Sequence, residues 1–86
     1  MDRHEVIKYP LSTEKSVRLM ESENKIIFVV DRRATKSDIK KAIEETFGVK
    51  VDKVNTRIST NSEKMAYVRF SSETPAVDIA TQLGMI

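Results

Sequence analysis

Residues 35–57 read Thr-Lys-Ser-Asp-Ile-Lys-Lys-Ala-Ile-Glu-Glu-Thr-Phe-Gly-Val-Lys-Val-Asp-Lys-Val-Asn-Thr-Arg, and their pattern decides the fold. Ile39, Ala42, Ile43 and Phe47 recur at helical spacing, so they form one stripe that must be buried. Thr35 stands before the stripe as an N-cap, with a hydroxyl that accepts from an orphan amide of the first turn. Asp38 adds negative charge there. Gly48 ends the helix, because glycine enters the left-handed conformation at little cost. A strand follows. From Lys53 onward, Val54, Thr56 and Ile58 point one way while Lys53, Asn55 and Arg57 point the other. One face serves the core. The other is a row of donors suited to phosphates and bases.

Working outward, the apolar parity slips by one residue between Val51 and Val54, which predicts a bulge or bend near Asp52. Residues 59–63 form a polar turn, and residues 64–71 return as a second strand. With the turn centred near Asn61, Arg57 lies opposite Met65, Asn55 opposite Tyr67, and Lys53 opposite Arg69. Thr56 with Ala66 and Val54 with Val68 then make up the other face. Upstream, residues 25–31 are the clearest strand. Ile26, Phe28 and Val30 alternate with Ile27 and Val29, so the strand is apolar on both faces and belongs in the middle of a sheet, covered on both sides. Residues 6–9, ending at Pro10, read as an edge strand. Ser12 or Thr13 caps a short helix running to about Glu21, with Val17 and Met20 as a weak stripe. Thr74 as N-cap and Pro75 at the first helical position open a last helix, in which Ala76, Ile79, Ala80 and Leu83 face inward and Gly84 marks the end.

These elements predict an α+β fold: a mostly antiparallel four-stranded sheet containing a split β-α-β unit, with two to three helices, related to the ferredoxin-like arrangement. The crossover makes strands 25–31 and 53–58 parallel, with 64–71 between them. The expected sheet order is the edge strand, 25–31, 64–71, 53–58, with helices 35–47 and 75–83 over one face.

The chain of 86 residues suffices for one small domain. Without cysteine it has no disulfide framework and no thiolate metal site, and a single histidine, His4, argues against zinc. No apolar run approaches the ~20 residues that span a bilayer, and the charged start does not resemble a signal peptide. A cytoplasmic location without membrane insertion is expected. The net charge of +2 is unevenly spread: residues 25–69 carry eleven basic and six acidic side chains, while both flanking segments are net acidic. That concentration suits an anionic partner.

The outer face of the hairpin, Lys53, Asn55, Arg57, Met65, Tyr67 and Arg69, combines cations, an amide and an aromatic ring. RNA binding needs these parts: cations for phosphates, an amide for base edges or 2′-hydroxyls, and a flat surface on which an unstacked base can lie. The plain alternative is a solvated sheet face, but three cations with one tyrosine and no acid favour nucleic acid. Lys40 and Lys41 stand four residues before Glu44 and Glu45 and can pair with them along the helix. Lys36 lacks such a partner and is the better phosphate ligand. Arg32 and Arg33 in the preceding loop, and Lys64 at the start of the return strand, complete the candidates. No constellation for catalysis, metal or cofactor binding accompanies them: the adjacent carboxylates Glu44 and Glu45 diverge around the helix, and His4 has no histidine or cysteine companion.

Thr-Lys-x-x-Ile-Lys-x-Ala from Thr35, followed by Phe-x-Val-x-Val-x-x-Val-Asn-Thr from Phe47, resembles the universal large-subunit ribosomal protein family twenty-three. The resemblance extends over nearly the whole chain, through Pro-Leu-Ser-Thr-Glu-Lys-Ser from Pro10, Lys-Met-Ala-Tyr-Val-Arg-Phe from Lys64 and Ile-Ala-Thr-Gln-Leu-Gly from Ile79. It implies one rRNA-binding domain over residues 1–86, a structural component of the large subunit that binds 23S rRNA at the rim of the polypeptide exit tunnel. The implied neighbours are ribosomal protein twenty-nine, signal recognition particle and the protein-conducting channel. Carried over by motif, Lys36, Lys40, Lys53, Asn55, Thr56 and Arg57 are the RNA side. Glu14 matches the acidic position that bacterial members use for chaperone docking, although a first-turn carboxylate also stabilises its own helix. Bacterial members carry a long basic hairpin loop. Here residues 59–63 are short, as in the archaeal type, which points to signal recognition particle instead of the bacterial chaperone. Two other readings are a free RNA-recognition-motif domain, whose stacking strand residues 63–70 resemble in length and in their Tyr-Val-x-Phe ending, and a protein-docking module for an acidic partner.

Overall fold

The computed structural model describes residues 3–85, with side chains from Glu5 onward, so the His4 side chain lies outside the described residues. A single helical turn, α1 (Arg3–Val6), leads into β1 (Ile7–Pro10), α2 (Glu14–Glu23), β2 (Lys25–Val30), α3 (Lys36–Phe47), β3 (Val51–Ile58), β4 (Lys64–Phe70) and α4 (Ala76–Gln82). The four strands form one sheet in the order β1-β2-β4-β3. Every neighbouring pair is antiparallel, so β2 and β3 run parallel to each other with β4 between them. This is the expected α+β, split β-α-β architecture.

One face of the sheet carries the core. Ile26, Phe28 and Val30 of β2, Ala66, Val68 and Phe70 of β4, and Val51 and Val54 of β3 pack against Met20 of α2, Ile39, Ala42 and Ile43 of α3, and Ile79 and Ala80 of α4. The opposite face of β2 is also closed, since Ile27 and Val29 are 2% and 1% exposed. On that face the cross-strand neighbours are Tyr67 beside Ile27, and Met65 and Tyr9 beside Val29. The Leu11 amide donates to the Ile27 carbonyl at 2.8 Å and draws the next loop alongside.

The helix ends follow from their residues. Thr35 accepts from the Asp38 amide at 3.1 Å while Asp38 Oδ2 accepts from the Thr35 amide at 3.0 Å, a reciprocal capping box. Gly48 closes α3 at φ 64. Thr13 and Ser16 make the equivalent box on α2, which explains why Ser16 is buried yet satisfied.

Several expected boundaries shift, and three of the changes have a visible cause. Val6 belongs to the helical turn, not to the edge strand, because its side chain enters the core while its carbonyl accepts from the Asp31 amide at 2.9 Å. Helix α2 runs past Glu21 to Glu23 and stops at Asn24, which takes the left-handed conformation at φ 57. Thr74 does not cap α4. Pro75 occupies the cap position, and the Asn24 side chain serves from fifty-two residues away, its Oδ1 accepting from the Ala76 amide at 2.6 Å. Asn24 Nδ2 donates to the carbonyls of Phe70, Ser71 and Thr74 at 3.0–3.3 Å. One residue thus ends α2 with its backbone and, with its side chain, starts α4 and ties it to the end of β4.

Candidate nucleic-acid interface

Register and a bulge build the site. Lys53 is opposite Arg69, Asn55 opposite Tyr67, and Arg57 opposite Met65, as alternation predicts. The ladder slips between Val51 and Lys53. In a regular strand Val51 and Lys53 would share a face; the extra residue lets Val51 and Val54 both enter the core while Lys53, Asn55 and Arg57 turn outward. The carboxylate of Glu44 on α3 accepts from the Val51 amide at 3.0 Å and pins the strand where it bends. Sequence spacing had offered Glu44 as the partner of Lys40. It is used for the backbone instead.

On this outer face Lys53, Asn55, Arg57 and Arg69 are exposed, and Met65 and Tyr67 are half-buried. Among the described residues Lys53 and Arg57 have no ion-pair or hydrogen-bond partner, which leaves both cations available to an incoming anion. The carboxylate of Asp52 stands 4.0 Å from Arg69 Nε. That exposed, long contact is worth little against a phosphate. Lys25 shares the face by register but is paired with Glu23 at 3.0 Å.

A cleft of about 200 Å³ adjoins the face between the start of α3 and β3, lined by Lys36, Ser37, Lys40, Asp52, Lys53 and Val54. Two helix lysines and a strand lysine thus border one cleft, beside the carboxylate of Asp52. The remaining predicted residues are placed elsewhere. Thr56 is half-buried on the helix side of β3, in line with Val54. Lys64 also lies on that side, opposite Val30 and Ile58, and its ammonium donates to the Ala34 carbonyl at 2.6 Å. It anchors the loop before α3.

In that loop Arg32 is exposed, while Arg33 is engaged by Asp31 through Nε at 3.1 Å and Nη2 at 3.3 Å. These hydrogen bonds, with another from the Arg33 amide, hold the Asp31 carboxyl below its ordinary pKa. Glu14 sits in the first turn of α2, where Arg18 Nη2 donates to its Oε1 at 2.7 Å with both side chains largely exposed.

Sequence periodicity gave no sign of two neighbours of the outer face. Leu11 and Lys15, from the loop and first turn around the α2 cap, line a groove of about 260 Å³ with Ile27, Arg57, Met65 and Tyr67. On the rim of the sheet the Tyr9 hydroxyl donates to Glu63 at 2.9 Å, which raises the phenol pKa. Among the described residues no three or more His, Cys, Asp or Glu side chains gather to hold a metal, and no helix is long and apolar enough to cross a membrane.

A family model described as "Ribosomal protein L23" matches residues 5–80. The chain is also 42% identical, over 85 residues and 99% of each sequence, to the protein named "Large ribosomal subunit protein uL23" of the archaeon Methanococcus aeolicus. That span takes in both cationic strands, the crossover helix and the capped helices that position them. The chain belongs to the ribosomal protein L23 family.

Proposed function

We propose that the outer face of β3 and β4, with the adjoining α3/β3 cleft, binds 23S rRNA and holds the chain beside the polypeptide exit tunnel. Membership of the family makes the chain a structural protein of the large ribosomal subunit and a part of the translating ribonucleoprotein in the cytoplasm. The RNA contacts and the position are the further step. The observation that carries them is the meeting of Lys53 and Arg57, unpaired among the described residues, with Asn55, Tyr67 and Arg69 on one face, next to Lys36 and Lys40. Backbone phosphates take the cations, and Asn55 supplies a donor and acceptor for a base edge or 2′-hydroxyl. Arg32, exposed and without a partner among the described residues, adds another cation. Arg33 and Lys64 contribute less, since each already has a partner. No catalytic step or cofactor is part of this function.

The surfaces turned away from the RNA face then meet neighbours at the tunnel rim: ribosomal protein twenty-nine, signal recognition particle and the protein-conducting channel, with Glu14 on the docking side. The test is assembly. The double variant Lys53→Glu, Arg57→Glu changes only exposed side chains, so a tagged copy is expected to keep its circular dichroism spectrum and yet sediment free of the large subunit in cell lysate. A folded variant that still enters subunits like the unaltered protein would refute the assignment of this face.

A further inference from the structure

We infer that the groove between the α2 cap and the β3–β4 hairpin receives a single unstacked RNA base. This rests on the reading above that the outer face meets rRNA, and it names what part of the RNA enters. The groove has a volume of about 260 Å³. Its parts fall into three sets. Ile27, Leu11, Met65 and the half-buried ring of Tyr67 make an apolar floor and wall. The charged lining residues are Lys15 and Arg57, both exposed and both without an ion-pair or hydrogen-bond partner among the described residues. The hydroxyls of Thr13 and Ser59 are already engaged, by the Ser16 amide and by Asn61 with the Glu63 amide.

A nucleotide matches this division. Its base offers two apolar π-faces, and its flanking phosphates are anions that the two lysine and arginine termini can hold. An apolar peptide segment would fill the floor but leave both cations unmatched. An anionic small ion would match the cations but leave the floor open. Charge complementarity therefore selects the nucleotide. The Tyr67 ring carries no hydrogen bond in the chain among the described residues, so its hydroxyl is free to meet a base edge or the sugar. Sequence order hides the site, because Lys15 and Arg57 belong to separate elements that only the fold brings to one groove.

The probe is a 23S rRNA transcript, bound by the full chain and by Tyr67→Leu, Tyr67→Phe and Lys15→Gln. Leucine keeps an apolar cover over Ile27 without a π-face, so thermal melting is expected to show a folded protein. Loss of base stacking is expected to weaken binding at least fivefold, in line with the roughly five- to hundredfold found when an aromatic platform is removed. The slope of log affinity against log salt is expected to stay unchanged. Phenylalanine restores the affinity to within about twofold, and Lys15→Gln flattens the slope by about one.

Ultraviolet cross-linking followed by digestion is expected to place a nucleotide adduct on residues 65–69. If Tyr67→Leu binds like the unaltered chain and residues 65–69 carry no adduct, no base enters and this inference falls, while the reading of the outer face stands. If the unaltered chain does not bind the transcript, both fall. If cross-linking in purified large subunits joins Tyr67 to a protein segment, the groove is a protein site and the inference is overturned.

Discussion

Replacing Lys53 and Arg57 together by glutamine separates what these cations do for RNA from what they do for the fold. Both side chains are exposed and lack an ion-pair partner among the described residues, so each is free to neutralise one phosphate. Each neutralised phosphate contributes about 0.9 to the slope of log affinity against log salt on a duplex and about 0.7 on a single strand. Two contacts give a slope flatter by about 1.4–1.8, and at ~0.1 M salt a loss of about twenty-five- to sixtyfold. At ~0.3 M the same difference shrinks to about five- to tenfold. Stability moves the other way, if at all. Lys53 stands directly opposite Arg69, and removing one of two like charges across a ladder relieves a few tenths of a kcal/mol. Filter binding of a 23S rRNA transcript across a salt series, beside urea unfolding, reads both quantities. Arg33→Gln is the control, because the Arg33 guanidinium already holds Asp31 and is expected to change the slope by less than about half a unit. A double variant that loses affinity equally at every salt concentration, or loses it only because it unfolds, would refute the reasoning.

Three further outcomes are expected. Asn24→Ala removes four hydrogen bonds at the junction of α2, β4 and α4 and leaves a left-handed backbone position to a residue that disfavours it. Urea unfolding is expected to show a loss of at least about 2 kcal/mol, and a loss under about 0.5 would deny Asn24 its role. Gly48→Ala meets open space but keeps φ at +64, so its cost is expected to be the backbone preference alone, about 1 kcal/mol by the same assay. The Asp38 carboxyl is held below its ordinary pKa, chiefly by the hydrogen bond from the Thr35 amide. A depressed folded pKa means that its stabilisation is full above the unfolded value and disappears as pH falls through the folded one. Asp38→Asn is therefore expected to unfold at lower urea than the unaltered protein near neutral pH, with the gap closing below pH ~4. A gap that persists in acid would assign the effect to shape and not to charge.

Much of the interface was legible in the sequence for a local reason. Alternation along a strand follows from the pleat, so Lys53, Asn55 and Arg57 had to share a face once the apolar residues claimed the other. The parity slip at Asp52 disclosed the bulge for the same reason, and a short polar turn with matching alternation on either side set the register of β3 on β4. Capping residues announced α3 because Thr35 and Asp38, which bond each other at its start, are only three residues apart. Lys64 was expected among the RNA-binding residues, and the fold gives it a partner within the chain. Its position on the chain says nothing of the Ala34 carbonyl thirty residues away that takes its ammonium. Thr74 looked like a cap by its position before Pro75, yet Asn24 is better aimed because the end of α2 lies against the start of α4.

By itself the sequence determined the kind and order of the elements, the pairing of the hairpin and the polarity of its two faces, since each depends on periodicities of a few residues. Only the tertiary structure decided which cations are still unpaired, which loop borders Tyr67 and which amide completes the last helix. Those are meetings between segments tens of residues apart, and they exist only after burial of one face of the sheet has brought the segments together.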